Sequence, residues 1–331
     1  MFYEADSFNQ DIGDWDVSKG NDFSYMFDKT EDFNQEIGNW DVSNGTDFSY
    51  MFRSASSFNQ NIGGWDVSNG TNFSRMFFNA DAFNQDIGSW DVSNGKKFGA
   101  MFTGADSFNQ DIGDWDVSKG NDFSLMFAYT PEFNQDIGGW DVSNGTSFAQ
   151  MFYEADSFNQ DIGDWDVSSG SDLKFMFAYA SGFDQDLSSW TPSENASLTS
   201  MFEGADLMQS NQGVGNTPSI YYFNPYVFTN KTTLQTAVDE WIDDQDVARE
   251  TYGEINKWDV SQITDFSELF KDKSGFNSDI SNWDVSNGTN FQYMFSEATN
   301  FNSDISNWDV SNGTDFSEMF LDASSFNQDI G

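Results

Sequence analysis

The sequence predicts an α/β repeat solenoid, a right-handed stack of turns of about 25 residues, each with a short parallel strand, a turn and a short helix. Three observations predict it. Tryptophan recurs at Trp15, Trp40, Trp65, Trp90, Trp115, Trp140, Trp165 and Trp190, each 25 residues after the last, and the beat resumes at Trp258, Trp283 and Trp308. Within each period the apolar spacing switches between 2 and 3.6 residues. The third observation is the supply of core material. A formal net charge of −42 would favour disorder in an aromatic-poor chain, but 36 Phe, 12 Trp and 11 Tyr among 331 residues can fill a core.

In the first full turn, Trp15-Asp16-Val17 alternates inward and outward, the period of a very short strand. Ser-Asn-Gly at 43–45, 68–70 and 93–95 follows the equivalent segments as a turn, since Asn and Gly tolerate positive φ. Phe23, Met26, Phe27 and Thr30 fall at i, i+3, i+4 and i+7, which predicts one face of a short helix with Asn21 or Asp22 as its N-cap. A return loop carries Asn9, Asn34, Asn59, Asn84, Asn109, Asn134 and Asn159, an asparagine ladder that would satisfy backbone groups. One turn cannot bury its own faces, but stacking covers both.

Ile12-x-x-Trp15-x-Val17 and the Asn/Gly turn resemble a leucine-rich repeat with aromatics in place of leucine. The longer phrase seen at Phe33–Phe58, FNQEIGNWDVSNGTDFSYMFRSASSF, resembles the BspA-like repeat of surface proteins and lipoproteins. That resemblance covers nearly all of 1–209 and 254–331. It implies an extracellular, non-enzymatic, often adhesive protein on a leucine-rich-repeat-like solenoid. One departure recurs: Gly45, Gly70, Gly145, Gly288 and Gly313 stand where the related repeats carry Val, which predicts a looser turn.

The beat lapses after Trp190, giving a first array over 1–209, an irregular linker or cap over 210–229, and a second array over 230–331. Leu234, Val238, Trp241 and Ile242 predict an amphipathic capping helix at about 232–243. One continuous solenoid with a bulky insertion is the other arrangement compatible with the gap. Met1-Phe2 shares the register of Met26-Phe27, and Gly331 stops just before a tryptophan would fall, so the sequence reads as an excerpt of a longer array.

With 13 Lys+Arg against 55 Asp+Glu, nucleic acid and anionic membrane are disfavoured as partners. No apolar run approaches a membrane span. Cysteine and histidine are absent, which removes thiolate and imidazole metal ligands and the commonest general base, so no enzyme is expected. Asp16, Asp41, Asp66, Asp91, Asp116, Asp141, Asp166, Asp259, Asp284 and Asp309 lie between Trp and Val in successive turns and form a column of carboxylates. Neighbouring charges there repel. Hydrogen bonds from the turn serine and free amides would offset that repulsion, and so would a row of Ca²⁺ ions, the one cofactor the residues suggest. Asn44, Asn69, Asn144, Asn195, Asn230, Asn287 and Asn312 open N-glycosylation sequons. The expected function is an extracellular structural or adhesive repeat, assembling with copies of itself or with surface proteins and glycans into a filament or surface layer. The alternative is a cation-dependent module that recognises a basic protein or glycan.

Overall fold

The computed structural model describes residues 1–212 and 214–330. The chain divides into two compact units, Met1–Pro218 and Ser219–Gly331. In both, the 25-residue period becomes a coil that stacks on its neighbour.

The expected α/β architecture does not form. Among the described residues there is no β-strand, and the helices are few: α1 (Asp206–Gln212), α2 (Lys231–Asp243), α3 (Gln245–Tyr252) and two 3₁₀ turns, Ile220–Tyr222 and Ile255–Lys257. The leucine-rich-repeat-like helix at Phe23–Thr30 is instead a run of tight turns. The Met26 amide donates to the Phe23 carbonyl at 3.3 Å and the Thr30 amide to the Phe27 carbonyl at 3.2 Å. Tyr25 (φ 55°) and Lys29 (φ 57°) sit in the left-handed region at the third place of each turn. Four-residue turns bring Phe23, Met26, Phe27 and Thr30 back to one side, so they copy the spacing of a helical face.

The remaining amides explain why the turns win. Phe23, Tyr25, Phe27 and Lys29 donate to the carbonyls of Asp47, Ser49, Met51 and Arg53 in the next coil, at 2.8, 3.0, 2.8 and 2.6 Å. A helix would spend those amides within one coil. Here alternate amides join coils and the others close turns. The ladder offsets a left-handed residue twice per coil, at roughly 1 kcal/mol or more each.

Trp15-Asp16-Val17 is likewise not a strand. The parallel pairing lies six residues later, as isolated bridges running Asp22–Asp47–Asn72–Lys97–Asp122–Ser147–Asp172–Ser197, and again Asp265–Asn290–Asp315. Only in the Trp258 coil does the Trp-Asp-Val segment pair, where Asp259 bridges Val227.

This register seats each core residue on its own counterpart. Phe27 lies 5.5 Å from Phe52 with ring planes 7° apart, and Trp65 lies 6.5 Å from Trp90 at 2°. From Trp40 to Trp190, and again at Trp283 and Trp308, the indole N–H donates to the carbonyl three residues before the previous repeat tryptophan, as Trp40 does to Ile12 at 3.1 Å, so a polar atom is satisfied inside an aromatic stack. The SNG turn is tight and not loose. A Cβ on Gly45 would stand 2.4 Å from Cζ of Phe48, so the ring fills the volume that valine would take.

The last coil of the first unit is closed by its own chain. The amides of Phe202 and Ser200 donate to the Asn216 carbonyl and the Thr217 hydroxyl at 2.9 and 2.7 Å, in place of a following coil, and α1 buries Met208. The first coil of the second unit is covered by α2 and α3, with Leu234, Ala237, Val238, Trp241 and Ala248 buried against it. Asn230 caps α2 by accepting from the Thr233 amide at 3.0 Å.

Candidate functional site

All ten aspartates of the expected cation column accept a hydrogen bond from the amide of the serine two residues on, at 2.9–3.1 Å. At Asp16, Asp41, Asp66 and Asp141 the serine hydroxyl donates as well, at 2.6 Å. Each carboxylate therefore closes its own Asx turn. The serine donors hold Asp16, Asp41, Asp91, Asp116, Asp166, Asp284 and Asp309 below the usual aspartate range. Among the described residues no group of three or more acidic side chains is placed to hold a metal ion.

The turn asparagines bridge coils. The side-chain amides of Asn44, Asn69, Asn144, Asn287 and Asn312 donate to the serine carbonyl of the previous coil at 2.8–2.9 Å, through the nitrogen a glycan would need. Asn94 makes the same bond to Ser68 at 2.9 Å although Lys96 destroys its sequon, so the bond accounts for the asparagine without a glycan. Asn195 is exposed in the turn after Trp190, and Asn230 is the α2 cap. The asparagine ladder forms as well. Asn9 Oδ1 accepts from the Asn34 amide at 3.0 Å and from Gln35 Nε2 at 2.8 Å, and the motif repeats up the stack.

With these positions uniform and structural, difference between coils is concentrated elsewhere, in three columns of the turn run. The first reads Tyr25, Tyr50, Arg75, Ala100, Leu125, Gln150, Phe175 and Ser200. The second reads Asp28, Arg53, Phe78, Thr103, Ala128, Tyr153, Ala178 and Glu203, and the third Lys29, Ser54, Asn79, Gly104, Tyr129, Glu154, Tyr179 and Gly204. The first and third are the left-handed positions. Their backbone is fixed by bonds to the next coil, which leaves side-chain identity free. Sequence reasoning passed over them because it placed them on a helix. Aligning the coils column by column would have found them.

Two groups of side chains stand out on these columns. Tyr25 stacks on Tyr50 at 4.4 Å, Arg53 and Arg75 lie 5.1 and 5.3 Å from the Tyr50 ring centre, and Arg75 donates to the Tyr50 hydroxyl at 2.8 Å. Arg53 also forms a two-pronged pair with the buried Asp28 at 2.7 and 2.8 Å. Further along, Tyr129 and Tyr153 lie 5.2 Å apart, and Tyr153 and Tyr179 5.5 Å apart. The Tyr179 hydroxyl donates to Glu203 at 2.8 Å, and that carboxylate raises the phenol pKa.

A regular coil stack whose uniform polar residues close turns or join coils, and whose variation is concentrated in one run of turns, defines a repeat protein. The chain belongs to the family described as Mycoplasma protein of unknown function, DUF285, which matches residues 1–82, 61–156, 104–217, 137–241 and 243–331. That match supports a repeat family and does not by itself carry the BspA-like identity. No curated protein and no solved structure matches the chain.

Proposed function

We propose that the chain is a non-enzymatic adhesive repeat of an extracellular surface protein, in the manner of BspA-like repeats, with the coil stack as scaffold and the turn columns as the contact face. One observation carries this reading: the recurring residues are consumed in turn-closing and coil-to-coil hydrogen bonds, while residue type changes at the left-handed turn positions, whose backbone is fixed and most of whose side chains reach solvent at least in part. A catalytic site calls for one departure from the pattern that assembles a nucleophile and a base, and a chain without His or Cys lacks the usual parts. A surface adhesin calls for a rigid frame that tolerates substitution on one face. Antibody raised against the chain should label intact, unpermeabilised cells, and proteinase K treatment of those cells should remove the label. Labelling only after permeabilisation would overturn the reading.

A further inference from the structure

The two tyrosine groups on the turn columns differ in one respect. Wherever a lysine or arginine reaches these columns, it lies over a tyrosine ring. Lys29 sits 5.6 Å from the Tyr3 ring centre, Arg53 and Arg75 cover Tyr50, and in the second unit Lys271 lies 5.2 Å from Tyr293. Among the described residues no cation lies over Tyr129, Tyr153 or Tyr179. Lys174, close in sequence, is paired with Asp172 at 3.1 Å on a neighbouring column. Instead Glu154 lies near Tyr153 and Tyr179, and Glu203 accepts from the Tyr179 hydroxyl.

Tyr129 and Tyr179 are 44% and 41% exposed, as open as Tyr25 of the first group, on a chain that buries most of its aromatics. Tyr179 is held in place from behind: a Cβ on Gly204 would stand 2.5 Å from its ring, so this coil carries the glycine that lets the ring lie flat. The patch thus offers preformed ring faces and two carboxylates, without the chain's own cation.

We propose that Tyr129, Tyr153 and Tyr179, with Glu154 and Glu203, bind an arginine-rich segment of a partner protein. A guanidinium stacks on a tyrosine face and pairs with a carboxylate in a single pose. The Tyr50 group shows this chain's rings accepting that chemistry from within. The net charge of −42 draws basic partners toward the surface, and the patch supplies short-range selection that long-range attraction lacks. The proposal rests on the adhesive reading, but its test uses purified chain and is independent of where the protein resides.

The experiment is calorimetric titration of the full chain with a hexa-arginine peptide at about 0.15 M NaCl, where exposed charges are screened beyond roughly 8 Å. The variant Tyr129→Asn/Tyr153→Asn/Tyr179→Asn should weaken binding by about tenfold or more, and Glu154→Gln/Glu203→Gln by about three- to tenfold. Glu31→Gln/Asp32→Asn removes two exposed charges elsewhere and should change it by less than about twofold. Hydrogen exchange on the unaltered chain, which needs no variant to fold, should show peptide-dependent protection around residues 129, 153 and 179. Equal loss in the tyrosine and Glu31/Asp32 variants would overturn the proposal, as would no binding at this salt, protection elsewhere, or binding of a neutral oligosaccharide to the patch in preference to the peptide.

Discussion

The Trp65 coil and the Trp258 coil bury the same aromatic set under different covers. Trp65 faces Trp90 in parallel, 2° from coplanar, and its indole N–H donates to Ile37 of the previous coil. Trp258 stacks in the same way on Trp283 of the next coil, at 20°, but it also meets Trp241 edge-on at 83° and Tyr252 at 71°, and its indole N–H donates to the Gly253 carbonyl just after α3. Gly70 becomes Ile263 in the covered coil, and Ile263 is buried. A coil therefore does not demand another coil. It demands apolar cover and one carbonyl for the indole. Coil-on-coil contact adds a backbone ladder, which fixes register; helix-on-coil contact relies on side chains, so Ile263 occupies the place a glycine holds elsewhere.

Removing the helix cover tests this contrast most strongly. Trp241→Ala should cost about 3–5 kcal/mol and speed hydrogen exchange in the coils from Trp258 to Trp308, leaving Trp40–Trp190 unchanged. Equal acceleration in both units would break the distinction. Reciprocal substitutions come next. Ile263→Gly should destabilise the second unit by about 2–4 kcal/mol through an unfilled cavity, and Gly70→Val should destabilise the first by about 1–3 kcal/mol, because Phe73 Cζ stands 2.4 Å from the new Cβ. If Gly70→Val raises the thermal midpoint, the ring is not holding that space. A smaller effect belongs to the turn amide. Asn94→Ala and Asn69→Ala should each lose about 0.5–1.5 kcal/mol, alike despite only one being a sequon, as chemical denaturation of unglycosylated protein would reveal.

The smallest effect is on pH. Asp16, Asp41, Asp91, Asp116, Asp166, Asp284 and Asp309 have lowered folded-state pKa values, so their contribution is present above the unfolded value and fades as pH falls through the folded one. Melting temperature should drop below about pH 4. Asp81, raised by burial and by Asp106, works in the opposite sense. Ser18→Ala with Ser43→Ala should flatten the dependence slightly; a midpoint that climbs through this range would show charge repulsion to dominate instead.

Several features were legible in the sequence. The period, the inward Phe, Met and Trp, and the asparagine ladder follow from spacing alone, because an identical residue every 25 positions must find either its own copy or solvent. The Leu234, Val238 and Trp241 spacing likewise places α2's apolar side on the Trp258 coil. The helix and strand within each coil were misread for one physical cause. Spacing reports which side chains face inward and does not report where amides go, and between coils the amides of Phe23, Tyr25, Phe27 and Lys29 go outward. The left-handed residues were hidden for the same reason, since Tyr, Arg, Leu and Gln carry no propensity for that conformation. The variable columns therefore stayed hidden too.

The coil-to-coil ladder has a consequence for how such a chain changes over generations. Each bond joins a residue to one in the adjacent coil at a fixed offset, as Phe23 to Asp47 and Phe48 to Asn72. An in-frame duplication or loss of 25 codons inside the array leaves every remaining partner at its old offset. Recombination between near-identical gene segments can thus lengthen or shorten the array without requiring a new core, and each copied coil brings its own three free positions on which selection can write.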